Sequence, residues 1–234
     1  MNQSDNESVC YSEIPKYAVL YAIPFELSQN GMRRHGREGA AHLRAYKEAC
    51  AHSPRQVRKL VSVLLGDETH VAAIRDGKIV EMSEGYSKEG TLISATGCGN
   101  IDLSIIFRML EDGSSIQEIK NTLAKESGFS ALVGRPCSLR ELLSGRGAVS
   151  AAARGVYAHQ LLQHIGASVA SLGGVDHIVF TGRNENSFMS FSRELLRKFE
   201  FAGCNINAEE NNACGPVLTE KGSAIVALFI LQSD

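Results

Sequence analysis

Residues 147–172 constrain this chain more than any other stretch. Val149, Ala152, Val156, Leu161, Ile165, Val169 and Leu172 recur at helical spacing, and small residues such as Ala151, Ala153, Gly155, Ala158 and Ala167 fill the remaining faces. The pattern predicts one long helix, buried nearly all round. At 234 residues with 44% hydrophobic side chains, the chain is long enough to build such a core. Gly173-Gly174 ends the helix, 177–181 (HIVFT) reads as a short buried strand, 186–201 as a helix stopped by Gly203, and 224–231 as a closing strand.

Upstream, 17–28 has a helical rhythm that Pro24 shortens or kinks, and 39–51 predicts a helix. The short apolar run 60–65 predicts a strand. It is followed by an alternating strand over 69–75 and, across the hairpin signal Asp76-Gly77, by a third over 78–82. Amphipathic helices are expected over 101–110, 115–124 and 139–143. A meander followed by helix-crossover strands makes this an α/β protein, with a mixed sheet covered by packed helices.

The net charge of −2 and pI near 6.4 supply no basic field for nucleic acid or anionic lipid, so neither is expected as a partner. The longest apolar run, 224–231, is too short to span a bilayer, and the polar start lacks a signal-peptide pattern. A cytoplasmic location is the expectation. The six cysteines form no CxxC pair and read as free thiols.

Chemistry is expected first at 176–187, where a buried strand empties into a polar, glycine-containing turn and a helix start. Such a turn aims backbone N–H groups and a positive helix end at whatever sits there. It reads equally as an anion site or as a plain turn capped by Asn186 or Ser187.

An ordered series of segments then resembles the acetate kinase family: YAIPFEL over 21–27, RHGREGAAH over 34–42, and GTLISATGCGNID over 90–102. Ser127-Gly128-Phe129, LGGVD over 172–176, FTGRNENS over 180–187 and Asn211-Asn212 continue it. The resemblance implies the actin-like ATPase fold of acetate and sugar kinases, Hsp70 and actin, and one domain of its usual two. Residues 13–234 would be the C-terminal domain, 1–12 a poorly ordered terminus, and the family's first domain would have no counterpart. The activity implied is ATP-dependent carboxylate phosphotransfer, ATP plus acetate giving ADP plus acetyl phosphate, with ATP/ADP and Mg2+ as cofactors.

Carried over residue by residue, the resemblance puts Glu38 at a catalytic histidine position and Gly97 at a catalytic arginine position, so no catalytic residue is assigned. Nucleotide contacts would come from Gly66, Asp67, Arg140, Gly182, Arg183, Asn184, Glu185 and Asn186, with Ser138 replacing a family acid and Asp234 near a metal-ligand position. Phosphoryl transfer needs groups that stabilise charge on the transferring oxygens, and a carboxylate at 38 does the reverse. Impaired or absent turnover by the chain alone is therefore expected. The alternative is a non-catalytic nucleotide-binding or dimerisation/regulatory protein. Partners would be a nucleotide and a small carboxylate, with a homodimer or a partner polypeptide. Arg33, Arg34, Arg37 and Arg44 read as a basic cluster on a solvated face, His42 as a core or capping residue, and His70 and His177 as structural.

Overall fold

A computed structural model of the chain describes residues 14–87, 92–207 and 216–232. The expectations for 1–12, for Gly90, for Asn211-Asn212 and for Asp234 lie outside those residues. Five strands form one sheet in the order β3-β2-β1-β4-β5. β1 (Lys59–Leu64), β2 (His70–Arg75) and β3 (Lys78–Met82) make the antiparallel meander, turned by Asp76 and Gly77 at φ 49° and 80°. A two-residue hairpin matching strand twist needs just such left-handed values. β4 (His177–Gly182) runs parallel to β1, and β5 (Val226–Leu231) parallel to β4.

Side chains alternate across this sheet with period two. Val61, Val63, Ala73, Ile178, Phe180 and Phe229 point into one core; Leu60, Ala72, Ile74, Val179 and Leu228 point into the other. Helix α3 (Gly39–His52) covers the second face through Ala45 and Ala49, whose small size lets the helix lie close. Helix α8 (Ala148–Leu172) covers the first through Tyr157, Leu161 and Ile165.

Three expectations are corrected. α8 is not buried all round: its buried residues form one stripe from Ala153 to Leu172, while Val149 and Val156 are 57% and 42% exposed. The expected 17–28 helix is two short ones, α1 (Lys16–Val19) and α2 (Phe25–Gln29), because Pro24 forces an extended entry and serves as the N-cap of α2. α9 (Asn186–Arg197) stops before a 3-10 turn at Glu200–Ala202, so Gly203, at φ 83°, closes that turn instead. The other helices are α4 (Leu103–Glu111), α5 (Ile116–Lys125), α6 (Gly128–Val133) and α7 (Leu139–Ser144). Among the described residues no helix is long and apolar enough to cross a membrane. Cys50, Cys137 and Cys204 are free.

Two histidines are sealed inside. His42 Nδ1 lies 2.9 Å from Ser62 Oγ, and His177 Nε2 lies 2.7 Å from Ser53 Oγ. Burial pushes both down, His42 from 6.5 to about 3 and His177 to about 4. Between pH 6.5 and these values the unfolded chain binds the extra protons, so stability is complete above pH 6.5 and is lost as pH falls. Urea unfolding at pH 7 and pH 5 is expected to show a loss on the order of 2 kcal/mol from His42 alone. The variant His42→Asn should have a shallower pH dependence whatever its stability at pH 7; an unchanged slope would contradict this account.

Candidate nucleotide site and adjoining cleft

The parallel ladder continues past the strands themselves, with Leu65 N donating to Thr181 O at 2.8 Å and Gln232 N to Gly182 O at 2.9 Å. In open α/β sheets the carboxyl edge of parallel strands is where ligands bind. Here that edge and α3 as far as Glu48 enclose a cleft of about 570 Å³, lined by Glu38, Arg44, Gly66, His70, Thr181 and Leu231 among others.

Gly182 closes β4 for a packing reason. A Cβ there would come within 3.1 Å of Phe188 and 3.3 Å of Phe229, so a side chain would require both rings to give way by a few tenths of an ångström. At the neighbouring strand end, Thr69 Oγ1 donates to Gly66 O at 3.0 Å and lies 2.6 Å from Tyr157 Oη. Because the threonine hydroxyl has one proton, Tyr157 must be the donor to it. The turn after β1 is thereby tied to the middle of α8.

Most of the residues nominated for the nucleotide fall beside this turn. Asp67 Oδ1 accepts the Leu139 amide at 2.6 Å, fastening the turn to the start of α7. That start is also held by a capping box between Ser138 and Glu141, which gives Ser138 a structural role. Arg140 Nε reaches Glu185 Oε2 at 3.0 Å, joining α7 to the N-cap of α9. Arg183, Asn184 and Asn186 are exposed around that contact. Gly66, Asp67, Arg140 and the 182–186 turn are thus linked in one chain of contacts. Gly97 is elsewhere: buried in a turn where its amide donates to Ser94 Oγ at 2.8 Å, and not part of the cleft lining.

Glu38 lies on the cleft wall at the N-cap of α3, but its carboxylate does not cap. Glu84 instead holds the segment leading into α3, accepting the amides of Arg37 and Glu38 at 2.5 and 2.9 Å. Burial pushes the Glu84 carboxyl up, opposed by those amides and by His70. The expected basic cluster is dispersed: Arg34 pairs with Glu81 at 3.0 Å, Arg37 Nη2 donates to the Tyr86 carbonyl at 3.4 Å, and Arg44 alone of the four lines the cleft. Lys47, Glu48 and Glu68 complete its charged wall. Sequence reasoning missed His70, Lys47 and Glu48 as cleft residues. The spacing of Glu38, Ala41, Ala45 and Glu48 on one face of α3 was the available signal.

Among the described residues no three His, Cys, Asp or Glu side chains are grouped to hold a metal. Magnesium usually keeps few protein ligands and travels on substrate phosphates, and only that manner of binding fits the described part of this site.

The model of the Acetokinase family matches residues 7–234. The acetate kinase of Phocaeicola vulgatus is 31% identical over 240 residues, and that of Clostridium botulinum strain Langeland 32% over 239; each match covers 97% of this chain and 59% of the relative. The chain thus spans about three fifths of the length of the curated relatives it matches. Among solved structures, an acetate kinase from Porphyromonas gingivalis superposes with a TM-score of 0.87 at 23% identity, covering 97% of this chain and 59% of that one. A propionate kinase from Francisella tularensis gives 0.85 at 25%, covering 97% and 60%. The fold is that of the actin-like ATPases, and the described residues build one of its two domains.

The contacts at this site differ in what they contribute to stability. Asp67→Ala removes a charge-assisted bond to a helix-start amide and is expected to cost about 1 kcal/mol in urea unfolding. Arg140→Ala removes an ion pair whose arginine is 64% exposed and should stay within about 0.5 kcal/mol of the parent. The reverse order would mean that the turn is not held as described.

Proposed function

The chain belongs to the acetokinase family, and from that premise we propose that it is a nucleotide-binding phosphotransferase of acetate kinase type. ATP or ADP would lie against Gly66, Arg140 and the 182–186 turn, with a small carboxylate such as acetate in the adjoining cleft. In the proposed reaction a carboxylate oxygen attacks the γ-phosphorus, forming the new P–O bond of an acyl phosphate. The bond to the bridging oxygen breaks, and its electron pair leaves with ADP. Magnesium, arriving on the nucleotide, would neutralise phosphate charge when bound.

The linkage of Gly66, Asp67, Arg140 and Glu185 at the carboxyl edge of the parallel strands carries this reading. Arg183 is exposed on the same turn, and a guanidinium there suits a phosphate. The cleft wall argues for slow turnover by this chain alone. Glu38, Glu48 and Glu68 stand against only two fixed cations, Arg44 and Lys47, where charge on transferring oxygens needs stabilising.

That imbalance favours a second reading, a protein that binds nucleotide without turnover and works through assembly. The exposed apolar side chains of α4, Leu103 at 67% and Phe107 at 60%, support a homodimer or a partner polypeptide covering that helix.

Calorimetry with ATP and magnesium, followed by a hydroxamate assay with acetate, tests both readings. Binding is expected, with Arg183→Ala and Arg140→Ala each weakening it about tenfold without a matching loss of stability. Acyl phosphate formation supports the phosphotransferase; binding without product supports the second reading; absence of binding by the parent chain overturns both nucleotide readings.

A further inference from the structure

His70 opens β2 and lines the cleft beside Glu38, Arg44 and Thr181. Its Nδ1 is sealed from solvent and lies 3.5 Å from Glu84 Oε1. The two side chains are 15% and 4% exposed. With Nδ1 turned inward, Nε2 is the ring nitrogen that a ligand in the cleft would meet.

The carboxylate behind it is held on two sides. Its oxygens accept the amides of Arg37 and Glu38 at the start of α3, and the imidazole approaches from β2. Burial pushes the Glu84 carboxyl up, which favours a proton on Glu84. With that proton on Glu84 facing Nδ1, the ring keeps its own proton on Nε2, where it can be donated into the cleft. Such an N–H donor sits on a wall where, among the described residues, Glu38, Glu48 and Glu68 outnumber Arg44 and Lys47.

We propose that His70 is the phosphate-contacting residue of the cleft, donating from Nε2 to a phosphoryl oxygen, and that Glu84 is its positioning residue. This rests on the reading of the cleft as a phosphoryl site. The ligand class is a phosphate group, whether the terminal phosphoryl of a nucleotide or that of a free acyl phosphate. Glu84 links this contact to Glu38, because the carboxylate that orients the imidazole also accepts the Glu38 amide just ahead of α3.

Titration of the intact chain with inorganic phosphate, watching histidine ring signals by NMR, tests the assignment. The His70 signals, identified by their loss in His70→Gln, are expected to move on adding phosphate. His70→Gln should bind phosphate about tenfold more weakly, and His70→Lys should recover most of that loss. Glu84→Gln should shrink the ring response in samples whose melting shows they are folded. A parallel titration with ATP separates the sources: movement with both ligands assigns the terminal phosphoryl of a nucleotide, and movement with phosphate alone assigns a free acyl phosphate. Equal phosphate affinity in the parent and His70→Gln overturns the role of His70 and leaves the cleft reading intact. No phosphate binding by the parent chain overturns the cleft reading itself.

Discussion

Backbone hydrogen bonding between β1, β4 and β5 sets Leu64, Thr181 and Ile230 in one row, because a parallel ladder in register does not let its strands end at different levels. Every loop that leaves this row starts at the same edge. The turn at Gly66, the turn at Gly182 and the segment after Leu231 are neighbours for that reason alone. A sheet with parallel strands also needs both faces covered, and α3 and α8 supply the covers. The cleft follows from these two requirements, since α3 begins beside the strand ends instead of across the middle of the sheet.

Around that edge, short polar contacts convert a row of loops into a site. The hydroxyl relay from Tyr157 through Thr69 to the Gly66 carbonyl runs from a fully buried ring to the turn. Burial raises the Tyr157 phenol pKa, which keeps the donor protonated. Tyr157 is in turn stacked on Phe191 of α9, at 5.5 Å and 16°, so the relay is anchored in the helix that follows the 182–186 turn. The two sides of the candidate site therefore share one buried support.

Much of this was legible in the sequence, and the failures have physical causes. The strands were readable because alternation and apolar runs survive in β1, β2, β4 and β5, and the meander because Asp76-Gly77 suits few other structures. Which face of α8 is buried was not readable: alanines and glycines on every side leave the pattern without a polar face, and only the position of the sheet decides. α6 has six residues, too few for a period to show. The resemblance named the nucleotide-side residues but not their links. Asp67 meets the Leu139 amide across 72 residues of sequence, and Arg140 meets Glu185 across 45. His70 looked like a strand residue because it is one. Its second character comes from Glu84, placed beside it by the return of the chain after β3.

Helix α4 behaves differently from the rest of the molecule. It is nine residues long, has no buried residue, and packs chiefly against α5, with its ends secured by the Asp102 cap and the Arg108–Asp112 pair. A helix so short is marginal in water without tertiary support. Its amide protons are therefore expected among the fastest-exchanging helical ones, opening by local unfolding while the sheet stays closed. Any surface that covered it would bind and fold it in the same step, so ordering of α4 would be thermodynamically linked to assembly.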